Sequence, residues 1–197
     1  MEFKHISVLL EESVKALDIK EDGVYVDGTL GGGGHSYRIL AQCPKTALIG
    51  IDRDPEAIEA AKKRLNKFSG RVTFVNRNFS EIKDILNELG IEFINGAVLD
   101  LGVSSYQLDN AGRGFSYMNN APLDMRMNRS DDLSAYDVIN RYSLDELTRI
   151  FFEYGEEKWS RRIADFIVRE REKKPIETTI ELVDIIKAAI PKKARLD

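Results

Sequence analysis

Cysteine is nearly missing from this chain of 197 residues: Cys43 is the only one, so no intramolecular disulfide can form. Histidine is almost as scarce. His5 and His35 stand far apart with no thiol beside either, too thin a supply for a zinc site. Proline is limited to five residues and glycine follows no fixed period, which excludes collagen-like and low-complexity chains. No apolar run approaches the roughly 18–20 residues needed to cross a bilayer. The start, Met1-Glu2-Phe3-Lys4-His5, runs into charged, helix-like sequence rather than a signal peptide. These absences together predict a soluble cytoplasmic protein with neither a membrane nor a metal partner.

A basic surplus is also lacking. Lys and Arg number 29 against 33 Asp and Glu, leaving −4 and a sequence pI near 5.4. That balance excludes a protein that holds nucleic acid mainly by global attraction to phosphate. Residues 113–197 carry sixteen charges of each sign, so the whole deficit lies in residues 1–112.

What is present is an alternating pattern. Val24-Tyr25-Val26-Asp27, Ala47–Asp52, Val72–Val75 and Gly96–Asp100 are short β-branched or apolar runs. Helix-period segments separate them, over about Ser36–Gln42, from Asp54-Pro55 through Ile58, Ala61, Leu65 and Phe68, and through Ile82, Ile85, Leu86 and Leu89. Asp54 followed by Pro55 has the form of an N-cap with proline at the first helical position. Strands and helices at this spacing predict an α/β fold with a parallel sheet and right-handed crossovers.

The pattern then breaks. Leu101 to about Leu133 has no convincing period, and its aromatic and methionine content favours an ordered loop over disorder. Beyond it everything reads helical, at Ala135–Arg141, Leu144–Tyr154, Lys158–Lys173 and Thr179–Ala189. Four parallel strands followed only by helices would leave the fourth strand as a bare edge, which proteins normally cover. The pattern therefore predicts a larger protein whose sheet is interrupted by an inserted helical domain.

The strongest chemical signal is Asp27-Gly28-Thr29-Leu30-Gly31-Gly32-Gly33-Gly34-His35-Ser36. Consecutive glycines between a strand and a helix let the backbone approach a ligand at the helix N-terminus. The loop departs from the dinucleotide fingerprint, with Ser36 where a third glycine would stand. Asp52 ends the second strand about twenty residues on, where an acid accepts the ribose hydroxyls of an adenosine-bearing cofactor. Phe79 follows the third strand and suits either an adenine face or the core. Asp100 ends the fourth strand at the switch point where open α/β sheets bind ligands. Ser104-Ser105 has no histidine to serve as its base, so loop hydrogen bonding is the better reading than nucleophilic work. Arg161-Arg162 and Lys173-Lys174 suit RNA phosphates or a solvated helix face equally.

These residues sit inside a longer series of motifs: His5–Glu11, Asp27–Ser36, Asp52-Arg53-Asp54-Pro55, Asp100–Ser105, Gln107-Leu108-Asp109, Arg113–Ser116, Pro122–Met127 and Tyr154-Gly155-Glu156-Glu157. In that order they resemble the N-terminal portion of the bacterial ribosomal RNA small subunit methyltransferase H family, also called MraW, whose members continue past Leu196-Asp197. The resemblance implies a class I, Rossmann-like S-adenosylmethionine-dependent methyltransferase with an inserted helical domain and the C-terminal part of its sheet absent from this chain. It further implies methyl transfer to the exocyclic N4 of a cytidine in 16S ribosomal RNA of the small subunit.

By the same resemblance the cofactor contacts are Gly33, Gly34, His35, Asp52, Phe79, Asp100 and Gln107. Residues 1–112 would form the S-adenosylmethionine-binding part, 113–133 a linking loop and 134–197 a truncated substrate-recognition insertion. The Pro-Pro signature of other N4-aminomethyltransferases is missing after the fourth strand, where Leu101–Tyr106 stands. Asp100 is the candidate catalytic acceptor, in a segment bordering the reacting nitrogen. A nicotinamide-dependent oxidoreductase and a non-catalytic S-adenosylmethionine- or RNA-binding module are the competing classes. The bare-edge argument leads to a direct expectation: residues 1–197 alone should melt at lower temperature and less cooperatively than the complete chain. Matched, equally sharp thermal melts would contradict it.

Overall fold

The computed structural model describes residues 7–194; His5 and Ile6 of the N-terminal motif, and Arg195, Leu196 and Asp197, lie outside them. The chain forms two compact units that divide after Ser104.

In the first unit, α1 (Leu10–Ala16) precedes β1 (Val24–Asp27), α2 (Gly34–Gln42), β2 (Ala47–Ile51), α3 (Pro55–Leu65), β3 (Val72–Val75), α4 (Ile82–Glu88) and β4 (Gly96–Val98). The four strands are parallel in the order β3-β2-β1-β4. Register is continuous across the centre: Asp27 pairs with Gly50 on one side and with Val98 on the other. Alternation along each strand supplies two faces. Tyr25 and Leu48 point into a cluster with Ile39, Leu40, Ile58, Ala61 and Leu65 from α2 and α3. Val26, Ile49 and Ile51 point the other way, against Ile85 of α4. A sheet buried on both faces explains why its central strands read as nearly unbroken apolar runs. Among the described residues β4 has a strand neighbour only on its β1 side.

Local signals account for the helix starts. The Asp54 carboxylate accepts the Glu56 N–H at 3.0 Å with Pro55 in the first turn, and Asn78 with Glu81 forms a capping box at the short 3₁₀ turn ahead of α4. In the second unit, α6 (Ala135–Arg141), α7 (Leu144–Glu153) and α9 (Thr179–Ala189) each begin with such a box, at Ser134/Asp137, Ser143/Glu146 and Thr178/Glu181. They pack with α8 (Ser160–Arg171) around Leu147, Ile163, Ala164 and Ile167.

The stretch from Leu101 to Leu133 is more structured than its lack of period predicts. It holds α5 (Ser105–Asp109), a 3₁₀ turn over Ala111–Arg113 and a bridge from Pro122 to Thr178. Arg113 is fully buried, donating from Nη2 to the carbonyls of Arg126 and Met127. Elements this short carry too few turns for a hydrophobic period to emerge.

Leu147 is wholly buried in the helical unit. Leu147→Ala is expected to lower the stability of that unit by about 2–5 kcal/mol, through lost transfer energy and the cavity left behind. A urea titration followed by circular dichroism checks it; a change under 1 kcal/mol would show that the site collapses around the smaller side chain.

Candidate functional site

All three inner crossovers of the first unit deliver their loops to the carboxyl ends of the strands. The ten residues from Asp27 to Ser36 form the centre of this end. The chain leaves β1 at Asp27, crosses over β2, and enters α2 at Gly34 with Gly33 as an N-cap that has no side-chain cap bond. Gly33 has φ +73°, a conformation that disfavours any side chain, and a Cβ there would lie 3.2 Å from Leu65 of α3. Leu30 packs directly over Gly50 of β2, where a Cβ would come within 2.9 Å of it.

Hydrogen bonds tie this loop to three strands at once. The Gly28 N–H donates to the Val98 carbonyl at 3.0 Å, and the Leu30 N–H to the Ile51 carbonyl at 3.0 Å. The Gly31 N–H donates to Asp52 Oδ2 at 2.7 Å, while Asp52 Oδ1 accepts the Asp54 N–H at 2.9 Å. Asp27 holds both ends of the loop, accepting the Thr29 N–H at 3.3 Å and the Ser36 hydroxyl at 2.6 Å. The Asp100 N–H donates to Thr29 Oγ1 at 2.7 Å.

Two carboxylates set the electrostatics. Asp27 is 1% exposed, and burial pushes its carboxyl above the ordinary aspartate range against the opposing pull of the Ser36 hydroxyl and the nearby His35. Asp52 is half-buried and is likewise pushed up by burial, with the Asp54 and Gly31 N–H groups pulling it down.

Gly33, Gly34, His35, Asp52, Phe79 and Asp100 all belong to this unit, at the carboxyl end of its sheet. Gly33, Gly34 and His35 are buried at the start of α2, and His35 Nε2 is buried with no partner among the described residues. Phe79 is 37% exposed and lies beside Gly28: a Cβ on Gly28 would meet Phe79 Cβ at 3.2 Å and drive into Leu99, itself 47% exposed. Asp100 is exposed. Gln107 belongs to the second unit, buried on α5. Thr29, Ser36 and Asp27 stand in the glycine motif of the sequence, but their holding roles were not legible there. Their spacing matches no motif of side-chain partners, and only the closed loop brings Ser36 back to Asp27.

The arrangement fits an adenosine-bearing group with an amino-acid end. Asp52 accepts backbone N–H groups of Gly31, Arg53 and Asp54, and a carboxylate has lone pairs enough for a hydroxyl donor besides. The Phe79 and Leu99 side chains offer partly exposed apolar surface. A Cβ on Gly31 would find nothing nearer than the Thr29 carbonyl at 3.9 Å, so the loop surface is open there. The start of α2 has no side-chain cap bond, and helix starts of this kind suit an anion. Among the described residues no group of three or more His, Cys, Asp and Glu side chains is placed to hold a metal ion, and no helix is long and apolar enough to cross a membrane.

A parallel sheet in the order 3-2-1-4, a glycine loop after its first strand and an acid at the tip of its second define a Rossmann-like protein, the architecture that class I methyltransferases share. Within that class the chain belongs to the MraW methylase family, which it matches over residues 2–197. It is 62% identical over 194 residues to a protein named ribosomal RNA small subunit methyltransferase H from Clostridium botulinum (strain Loch Maree), covering 98% of this chain and 62% of that one. The protein of the same name from Clostridioides difficile is 58% identical over 197 residues, 100% of this chain and 63% of the relative. The chain thus spans a little over three-fifths of the length of these relatives. Solved structures are less similar. An rRNA methylase from Streptococcus thermophilus aligns with a TM-score of 0.41 at 18% identity, over 60% of this chain and 71% of its own. M. capricolum TrmK in complex with S-adenosylhomocysteine aligns with a TM-score of 0.36 at 12% identity, over 94% and 99%. At such scores neither supports an argument about function.

The buried Asp27 carboxyl yields a signed expectation. Its raised folded value means that its contribution to stability is full below the ordinary aspartate value of about 3.9 and is lost as pH rises through the folded value. Asp27→Asn does not titrate, so the stability of the variant relative to wild type is expected to climb from pH 4 to pH 7. Urea midpoints at several pH values measure this, and a pH-independent difference would contradict it.

Proposed function

We propose that this chain is the cofactor-binding and part of the substrate-binding portion of an S-adenosylmethionine-dependent methyltransferase that modifies the exocyclic N4 of a cytidine in 16S ribosomal RNA. The observation that carries the cofactor half is Asp52, whose carboxylate grips the glycine loop through Gly31 and faces the end of the sheet where a ribose would sit. The ribosomal RNA half rests on the name of relatives at 58–62% identity. The cytidine N4 rests on the family resemblance of the motifs.

When bound, S-adenosylmethionine supplies an electrophilic methyl group on a sulfonium leaving group. The residues of the chain bind and orient. Asp52 accepts the ribose hydroxyls, and Phe79 lies against the adenine. Gly33, Gly34 and His35 receive the methionine end at the start of α2, where backbone N–H groups suit its carboxylate. A cytosine amine shares its lone pair with the ring and is a poor nucleophile, so positioning is the main task of the site. Asp100 accepts an N–H of that amine as the nitrogen pyramidalises.

The target base has to leave its stack to reach such a pocket, and single-stranded RNA lowers that cost to a few kcal/mol. Residues 1–112 then serve the cofactor, 113–133 connect, and 134–197 contact the small-subunit RNA. The site of work is the cytoplasm, where ribosomal subunits are made.

Radiolabelled methyl transfer from S-adenosylmethionine to undermethylated small subunits by the full-length protein, followed by nucleoside analysis, tests the proposal. N4-methylated cytidine is the expected product. Asp52→Ala is expected to weaken S-adenosylhomocysteine binding at least about tenfold, since it loses charge-assisted hydrogen bonds. Asp100→Ala is expected to lower cofactor affinity or turnover. Tight uptake of nicotinamide dinucleotides with indifference to S-adenosylhomocysteine would favour an oxidoreductase; cofactor binding without transfer would favour a non-catalytic module.

A further inference from the structure

Thr29 takes no part in the contacts assigned above, yet its side chain makes the last link between the loop after β1 and the end of β4. In a parallel ladder alternate residues of a strand bond to backbone of the same neighbour. Between β1 and β4 the ladder runs normally to the Gly28 N–H, which donates to the Val98 carbonyl at 3.0 Å. One rung further, the Asp100 N–H donates instead to the Thr29 hydroxyl, at 2.7 Å. The main chain has already turned away from the sheet, so a side-chain oxygen continues the pairing where backbone no longer can. Thr29 is itself held, because its own N–H donates to Asp27 Oδ1 at 3.3 Å and the other oxygen of Asp27 is occupied by Ser36.

We infer that Thr29 is a positioning residue: its hydroxyl fixes the backbone of Asp100, and with it the Asp100 side chain, relative to the glycine loop. The inference rests on the methyltransferase reading, in which Asp100 and the loop contact the same cofactor. Asp100 is exposed and lies beyond the three-residue strand β4, so β4 itself does little to hold it. Buried Asp27, by contrast, is anchored in the core of the sheet. The chain of contacts from Asp27 through Thr29 to Asp100 carries that rigidity outward to the ligand.

Calorimetric titration of the full-length protein with S-adenosylhomocysteine, paired with hydrogen exchange at the Asp100 amide, tests this. Thr29→Val keeps the shape and removes the acceptor, and is expected to weaken binding about tenfold and to speed exchange at Asp100. Thr29→Ser keeps the acceptor and is expected to stay within about twofold of wild type with exchange unchanged. If the valine protein does not fold, Thr29→Ala makes the same comparison with a smaller side chain. Wild-type affinity in the acceptor-less variant overturns the inference, as does an equal loss in the serine variant, which would point to methyl packing instead. A wild-type protein indifferent to S-adenosylhomocysteine would bring down the methyltransferase reading and this inference with it; binding by wild type with an unaffected valine variant brings down the inference alone.

Discussion

The carboxyl end of the sheet depends on one constraint: the six-residue, glycine-rich loop between β1 and α2 must be held in a single shape although glycine gives it the greatest freedom to move. Backbone entropy of about 1–2 kcal/mol per residue opposes that order. The opposition is met by bonds to fixed points, together with the packing of Leu30 over Gly50. Val98 and Ile51 lend carbonyls, while Asp52 and Asp27 lend carboxylates. Because these acceptors lie at or just beyond the ends of β1, β2 and β4, the sheet register and the loop shape are one geometric fact. A slip of any of these strands would move an acceptor away from its N–H.

This arrangement explains an otherwise costly choice, a carboxylate buried at the tip of the central strand. Burial disfavours the ionised form of Asp27 and pushes its carboxyl above the ordinary aspartate range. A serine or threonine in its place would reach only one of the two loop ends. A carboxylate has two oxygens, and here each takes a donor from a different end of the loop. Preorganisation of this kind is what the proposed methyl transfer would require, since most of its barrier is lowered by alignment rather than by acid or base chemistry. The helical unit is built on a different economy, with capping boxes that set helix starts and an aliphatic core around Leu147 and Ile167.

Much of this was legible beforehand, and the reasons are local. Strand and helix positions followed from period, and the start of α3 from Asp54-Pro55, because caps and amphipathic faces are written in neighbouring residues. The glycine run and Asp52 were singled out by residue type and by their places after strands, whereas Phe79 read equally as a core residue. The interval from Leu101 to Leu133 was not legible. Its order comes from contacts such as Arg113 to the carbonyls of Arg126 and Met127, or Pro122 to Thr178, which join residues of unlike type over long separations.

The sequence by itself determined the α/β alternation, the glycine loop after the first strand and, through several ordered motifs, membership of a methylase family. Those properties depend on spacing along one chain, and spacing is preserved when nothing is folded. Only tertiary structure decided that Asp27 meets Ser36, that Asp52 grips Gly31 and that Thr29 accepts from Asp100. Each of these is a bond of fixed length and direction, and no bond of that kind exists until strands far apart in sequence have come into register.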